Sequence, residues 1–246
     1  KEQVVILHAV ESGSRAWGFA SPDSDYDVRF VYVRRTADYL RLQDCDDFID
    51  WALDETLDIN GWDLPKALRH FHKSNATLFE WAGSPLVYAK TPAWDRIRET
   101  ALPYFSCKAA MYHYYGTARK NFAAYLTGDL VKYKKYFYVL RPILACKWIA
   151  ERKTPPPVLF PELADAVLEE AMKLAVDALL DKKRKAAESE QGGRLDALHR
   201  YLEENIEYCK KMAETMADDR KSDWEALNRI FLDTLSSVGR MAAGAI

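Results

Sequence analysis

Two short apolar runs at the start of the chain predict β-strands. Val4–Val10 is rich in β-branched residues and too short for a helix, so it predicts a buried strand. From Asp25 to Val33 one side of the alternating pattern changes from charged to apolar, as expected of a strand that begins at a cleft and continues into a core. Residues 13–19, between the two runs, predict a turn followed by a brief helix.

The next stretch predicts a strand that leads directly into a helix. In Thr56–Asn60, Leu57 and Ile59 share one face of a strand and Asp58 lies on the other. Gly61 is predicted to end this strand. Asp63 is predicted to be the N-cap of an amphipathic helix from Leu64 to about Lys73, with Pro65 in its first turn.

The remaining segments predict helices for most of the chain. Residues 34–55 are charged and mixed, and they predict a connection with some helix. After about residue 92 the strand patterns stop, and residues 222 and 225 have the Ser and Glu spacing of a capping box. Further predicted helices are Asn75–Trp81, Trp94–Ala101, Cys107–Leu126, Tyr133–Glu151, Pro161–Glu188, Leu195–Met216 and Ser222 to about Met241; Leu86–Tyr88 is a predicted strand.

These elements predict two domains. Residues 1–103 form an α/β (α+β) domain with a mixed sheet, and residues 104–246 form an all-helical domain. The division is placed where alternation of apolar and polar residues ends and apolar residues begin to recur at every third or fourth position, as in the apolar stripe from Leu195 to Met216.

Composition narrows the class of protein. The 246 residues carry a net charge of -2, which argues against nucleic-acid binding through bulk electrostatics, so any such partner would need a local basic patch. Charged residues interrupt every apolar stretch before it reaches the length of a membrane span, so no membrane association is expected. Four scattered cysteines without a CxxC pair argue against zinc or a disulfide framework and favour a cytoplasmic location.

The candidate chemistry lies in the segment that joins the first two strands. Asp25 and Asp27 are alternate residues, so both carboxylates point to one spot, where they would repel each other without a cation between them. Oxygen ligation of this kind suits Mg²⁺. Gly13 and Ser14 form a turn about a dozen residues earlier, and backbone N–H groups at such a turn favour an anion. The segment therefore predicts a metal site beside a phosphate site.

A third carboxylate, Asp58, in a further strand makes the set suitable for nucleotidyl transfer. In this reaction a hydroxyl displaces pyrophosphate from a nucleoside triphosphate (NTP), and two metal ions stabilise the entering and leaving oxygens. We expect two Mg²⁺ ions, with Mn²⁺ as an alternative. Asp25 and Asp27 would bridge both ions, and Asp58 would hold the catalytic ion and help to deprotonate the hydroxyl. The residues predicted to hold the β and γ phosphates are Gly13, Ser14 and Arg15.

The glycine-serine turn, the gap and the Asp-x-Asp strand together are similar to the signature of the DNA polymerase β-like nucleotidyltransferase superfamily. Residues 11–18 (ESGSRAWG) and 21–30 (SPDSDYDVRF) more narrowly resemble a predicted nucleotidyltransferase family linked to an RNA repair pathway, as do residues 60–68 and 135–142. The resemblance implies an NTP- and Mg²⁺-dependent transferase with a mixed sheet and an appended helical domain. The family's link to RNA repair implies an RNA end as the acceptor.

For some residues the sequence allows two interpretations of their role. Asp63 could compete with Asp58, although its capping position gives it a structural role. Arg15 could hold triphosphate or be an ordinary surface arginine, and Arg29 is expected to form an ion pair with the aspartates. Lys134, Tyr138 and Arg141 share one helical face, with Lys135 adjacent. This face could hold a triphosphate or stack a base, or it could be solvated; the resemblance favours nucleotide binding by Lys135, Tyr138 and Arg141.

Two other functions stay open at this stage. One is nucleotidylation of a small molecule or a protein side chain, because the fold does not determine the acceptor. The other is a nucleotide-sensing or antitoxin-like module that has lost the chemistry. The presence of all three carboxylates argues against the second, since a site that only binds has less use for the third.

Overall fold

The computed structural model describes residues 3–54, 56–185 and 190–243. These residues form two compact units, and each unit is assembled from separate parts of the chain. The first unit comprises residues 1–13, 25–105 and 220–246, and the second comprises residues 14–24 and 106–219. No helix in the described ranges is long and apolar enough to span a membrane.

The first unit contains a five-stranded mixed sheet. Its strands are β1 (Val5–Glu11), β2 (Tyr26–Val33), β3 (Phe48–Asp54), β4 (Leu57–Asp63) and β5 (Val87–Lys90). They lie in the order β3-β4-β2-β1-β5; β2 and β4 are parallel, whereas β1 pairs antiparallel with β2 and β5, and β3 pairs antiparallel with β4. The helices of this unit are α2 (Thr36–Tyr39), α3 (Leu64–His72), α4 (Ala76–Gly83), α5 (Pro92–Ala101) and α11 (Glu225–Ala243), and a 3₁₀ turn spans Leu102–Tyr104.

Helices cover one face of this sheet with a continuous apolar core. Leu7 and Val10 of β1 and Val31 and Val33 of β2 are buried in that core. Helices α3, α4, α5 and α11 contribute large side chains to it, among them Leu64, Phe71, Leu78, Trp81, Trp94, Ile97, Leu227 and Ile230. The apolar ends of β1 and β2 therefore anchor the sheet, while the polar beginning of β2 lies outside this core.

The second unit is mainly helical. Its central helix, α7 (Lys134–Arg152), packs against α6 (Cys107–Tyr125), α8 (Phe160–Val167) and α10 (Asp196–Thr215). The other elements are α1 (Gly13–Ala16), which enters this unit from Gly13 of the first, α9 (Glu170–Lys185), and the short antiparallel strands β6 (Leu130–Lys132) and β7 (Gln191–Gly193). This strand pair corrects the expectation that strands stop after residue 92.

Three further predictions of local structure are wrong. Gly61 does not end the strand but lies inside β4, which continues to Asp63, and a Cβ at residue 61 would lie only 2.2 Å from the Phe30 ring. The connection predicted over residues 34–55 contains a helix as expected, α2, but it also contains the edge strand β3, which was not predicted; residue 55 lies outside the described ranges. The helix predicted for Pro161–Glu188 breaks between α8 and α9, and residues 186–188 of that prediction lie outside the described ranges.

Helix starts were predicted with mixed success. Asp63 caps α3 as predicted, since its side chain accepts a hydrogen bond from the backbone N–H of Leu64. Asn75 caps α4, since its Oδ1 accepts a hydrogen bond from the backbone N–H of Leu78 at 3.2 Å. Helix α11, in contrast, begins at Glu225 rather than directly after Ser222, so the predicted capping box does not mark its start.

Candidate active site

The parallel pairing of β2 with β4 places Asp27 directly opposite Asp58. The sequence produces this register because the apolar ends of both strands are fixed in the sheet, with Val31 of β2 opposite Trp62 of β4. Residues paired directly across two neighbouring strands point to the same face, so the two carboxylates lie on one side of the sheet near the start of both strands.

Arg29 joins these two carboxylates. Its Nη2 lies 3.0 Å from Asp27 Oδ1 and 2.6 Å from Asp58 Oδ2, and its Nη1 donates to the backbone carbonyls of Val28 (3.1 Å) and Asp58 (3.0 Å). The ion pair expected for Arg29 is therefore confirmed. One guanidinium supplies positive charge to two carboxylates at a position where the sequence predicts a cation.

The pKa of Asp27 is raised, and burial is the largest cause. The Arg29 guanidinium lowers this pKa, and the negative charges of Asp58, Glu11 and Asp25 raise it. Asp27 therefore has three other carboxylates and one guanidinium near enough to act on its charge.

Glu11 is the fourth carboxylate of this group, and sequence reasoning gave it no separate role. It ends β1, is fully buried, and its Oε1 accepts the backbone N–H of Asp27 at 2.8 Å. Its Oε2 accepts the hydroxyl of Tyr88 in β5. The signal available in the sequence was a glutamate that continues an otherwise apolar strand.

Gly13 is required for the shape of the same region. Its φ of +59° is a conformation that residues with a Cβ rarely adopt. A Cβ at residue 13 would also lie only 2.1 Å from Asp27 Oδ2. Gly13 therefore lets the chain turn directly beside the Asp27 carboxylate.

The donors fit a hard divalent cation held by two carboxylates. Mg²⁺ is usually held by one or two carboxylates and completed by water and substrate phosphates, which matches the pair Asp27 and Asp58. Asp25 is exposed one residue before β2, close enough for its charge to raise the pKa of Asp27. Within the described ranges no three His, Cys, Asp or Glu side chains converge to form a metal cluster, so the three-carboxylate site stays a prediction.

Asp63, the competitor of Asp58, is held in a structural position. Its side chain is buried, accepts the N–H of Leu64 at 2.8 Å and also accepts the hydroxyl of Tyr39. Burial raises the pKa of Asp63, and these two hydrogen bonds oppose that rise. This carboxylate connects α2 to the start of α3.

The remaining predicted site residues belong to the second unit. Ser14 is buried, and Arg15 Nη2 donates to the carbonyl of Ser24 at 2.8 Å. Helix α1 has only four residues and aligns few peptide dipoles, so the phosphate prediction depends on the turn and not on a helix dipole.

Helix α7 contributes Lys135, Tyr138 and Arg141 to the second unit. Arg141 is buried, its guanidinium lies 4.6 Å from the ring centre of Trp17, and it donates to the carbonyl of Val158. The Tyr138 ring packs edge-on to Trp17, and the Lys135 ammonium lies 4.8 Å from the Tyr138 ring centre. Helix α7 therefore does not present a fully solvated face here, because Arg141 is buried beside the loop that follows Ser14.

The chain thus combines a mixed sheet, aspartates in register on two parallel strands and a glycine-serine turn between β1 and β2. A family model described as the RNA repair pathway DNA polymerase beta family (RlaP) matches residues 1–233. The chain belongs to this family, which confirms the resemblance drawn from residues 11–30. The chain is also 44% identical over 238 residues to the Bacillus subtilis (strain 168) protein named "Uncharacterized protein YcgL", covering 96% of this chain and 91% of that protein.

Proposed function

We propose that this protein is a Mg²⁺-dependent nucleotidyltransferase that transfers a nucleoside monophosphate from an NTP to a hydroxyl of an RNA end and releases pyrophosphate. The observation that carries the proposal is the register pair Asp27 and Asp58, which share one guanidinium beside the Gly13 turn. Membership of a polymerase β family described by an RNA repair pathway supports both the reaction class and the acceptor.

The three carboxylates have two kinds of role in this proposal. Asp25 and Asp27 would hold both cations, and Asp58 would hold only the catalytic cation and help to deprotonate the attacking hydroxyl. Bound Mg²⁺ would supply charge stabilisation to the entering and leaving oxygens. The negative charges of Asp58, Glu11 and Asp25 around Asp27 support its assignment as a cation ligand, since a bound cation would offset them.

Phosphate binding is assigned to the segment that follows β1. Gly13 and Ser14 offer backbone N–H groups to the β and γ phosphates, and Arg15 offers a guanidinium, which suits phosphate geometry. Lys135, Tyr138 and Arg141 are proposed to bind nucleotide. The aromatic and cationic contacts among Trp17, Tyr138 and Lys135 support this, since such groups stack bases and neutralise phosphates.

The test is product formation from labelled nucleotides. The protein is incubated with Mg²⁺, each α-labelled NTP in turn, and a panel of RNA ends, tRNA and DNA; one acceptor should gain the mass of one nucleotide while pyrophosphate is released. Transfer to a small molecule or a protein side chain in place of RNA would refute the acceptor. NTP binding without pyrophosphate release with any acceptor would favour the nucleotide-sensing module.

Single substitutions connect the activity to the site. Asp27→Ala and Asp58→Ala should each remove metal-dependent turnover, a loss of at least about 10³-fold, while the far-UV circular dichroism stays that of wild type. Asp44→Ala, at an exposed position outside the sheet, is the matched control and should keep full activity. Activity retained in Asp27→Ala would exclude the proposed mechanism.

A further inference from the structure

Glu11 stands apart from the other carboxylates of the site because its side chain is enclosed. It is 0% exposed, whereas the side chains of Asp27 and Asp58 are 32% and 52% exposed. A buried carboxylate is expensive unless its oxygens are hydrogen-bonded, and an apolar residue would serve packing better at this place. Both oxygens of Glu11 are engaged, one by the Asp27 N–H and the other by the Tyr88 hydroxyl.

The hydrogen bond to Asp27 replaces one that the sheet would otherwise supply. Ser12 N–H donates to the carbonyl of Asp27 at 2.8 Å, as in an antiparallel pair of residues that exchange two hydrogen bonds. In a regular ladder the Asp27 N–H would return a bond to the carbonyl of Ser12. The chain instead turns at Gly13, and the Asp27 N–H is accepted by Glu11 Oε1.

Glu11 is itself fixed from a third strand. Its backbone N–H donates to the carbonyl of Leu86 at 2.9 Å, and its carbonyl accepts the hydroxyl of Ser84 at 2.6 Å. Together with the Tyr88 contact, these bonds tie Glu11 to the segment that leads into β5. The acceptor for Asp27 is therefore held on both its main chain and its side chain.

We infer that Glu11 is a positioning residue for nucleotidyl transfer: its carboxylate takes the place of the missing ladder acceptor and fixes the backbone of Asp27 where β1 turns away. The expected effect of Glu11 on turnover rests on the proposed function, whereas its expected effect on the backbone of Asp27 rests on the geometry alone. It predicts that hydrogen-bond acceptance by the Glu11 side chain matters more than its negative charge.

Three substitutions separate acceptance from charge. Glu11→Gln keeps the chain length and an acceptor oxygen but removes the charge. Glu11→Asp keeps the charge but shortens the side chain by one methylene, and Glu11→Ala removes both. A misplaced reacting group can reduce the rate about 10²-fold, so we expect that loss of kcat in Glu11→Ala, a loss approaching it in Glu11→Asp, and kcat within roughly fivefold of wild type in Glu11→Gln.

The Michaelis constant gives a second criterion. Because Glu11 acts through the backbone of Asp27, the KM for NTP should stay within about twofold of wild type while kcat falls. Tyr88→Phe removes only the donor to Oε2 and should fall between wild type and Glu11→Ala in kcat. Higher activity in Glu11→Asp than in Glu11→Gln, or a rise in KM at constant kcat, would overturn the inference.

Amide hydrogen exchange tests the geometry without requiring turnover. Loss of the acceptor should speed exchange of the Asp27 N–H at least about tenfold in Glu11→Ala, relative to the Val31 N–H in the interior of β2, with no such change in Glu11→Gln. If wild type shows no transfer but this pattern holds, the proposed function fails and the positioning of Asp27 stands. Equal exchange of Asp27 in wild type and Glu11→Ala would refute the positioning. Should Glu11→Ala not fold, the comparison of Glu11→Gln with Glu11→Asp decides.

Discussion

His8 gives the sharpest prediction about stability, because the structure encloses it as a neutral side chain. Its ring is 3% exposed, stacks on Trp94 with ring centres 4.5 Å apart, and places Nε2 3.2 Å from the carbonyl of Trp81. Nδ1 is buried without a hydrogen-bond partner among the described residues. A protonated ring would therefore bury a charge and an unsatisfied N–H, and this burial lowers the pKa of His8 to about 4.

The sign of the resulting pH dependence follows from linkage. The unfolded chain takes up a proton at the ordinary histidine pKa of about 6.5, whereas folded His8 resists protonation until about pH 4. Falling pH therefore favours the unfolded state across this window. At about 1.4 kcal/mol per pKa unit, the penalty is on the order of 2 kcal/mol at pH 5 and approaches roughly 3 kcal/mol below pH 4.

The assay is urea unfolding of wild type and His8→Gln at pH 7.5 and pH 5. Glutamine can donate its side-chain amide to the Trp81 carbonyl but does not titrate, so the variant is less stable at neutral pH yet lacks the histidine penalty. The difference in unfolding free energy between the two proteins should shrink by about 2 kcal/mol at pH 5. A difference that stays constant within about 0.5 kcal/mol would refute the assignment of a neutral buried His8.

Three further predictions concern packing and charge. Gly61→Ala should lower the free energy of unfolding, measured in urea, by about 1–3 kcal/mol because the new methyl group overlaps the Phe30 ring. The control Gly116→Ala, where a methyl group meets open space, should raise it by up to about 1 kcal/mol, and equal effects of the two substitutions would contradict the packing. Asp27→Asn should raise the melting temperature at pH 7.5, since the raised pKa means that ionised Asp27 costs stability there. This gain should vanish below about pH 4, where Asp27 is protonated in both the folded and the unfolded chain; a melting-temperature difference that is the same at both pH values would contradict the prediction. Arg29→Gln should lower the melting temperature without Mg²⁺ and reduce the Mg²⁺ midpoint roughly tenfold in thermal shift; an unchanged midpoint would show that Arg29 does not oppose the cation.

The sequence predicted the elements whose patterns arise from local contacts. Alternation over residues 25–33 located β2, the spacing of Leu195 to Met216 located α10 to within one residue at each end, and the chemistry of Asp63 located the start of α3. The family resemblance was available for a similar reason, since it depends on a short continuous motif. These features need no knowledge of which segments meet in the fold.

Features that depend on distant partners were missed. β3 alternates weakly and is a strand because it pairs with β4 at the edge of the sheet. The sequence predicts a strand end at Gly61, but in the fold the lack of a side chain at this position leaves space for Phe30 of the neighbouring strand. Glu11 received no separate role because its two partners, Asp27 and Tyr88, lie 16 and 77 residues away.

Arg29 shows how the site remains folded without a bound cation. The same strand that presents Asp27 also carries, two residues later, a guanidinium that reaches both carboxylates, so the repulsion between the paired strands is reduced by the chain itself. Asp58, Glu11 and Asp25 act against Arg29 on Asp27, since their negative charges raise its pKa and the guanidinium lowers it. A cation that binds Asp27 and Asp58, as we propose, must therefore compete with Arg29 for the same two carboxylates. The lower Mg²⁺ midpoint predicted for Arg29→Gln is a measure of this competition.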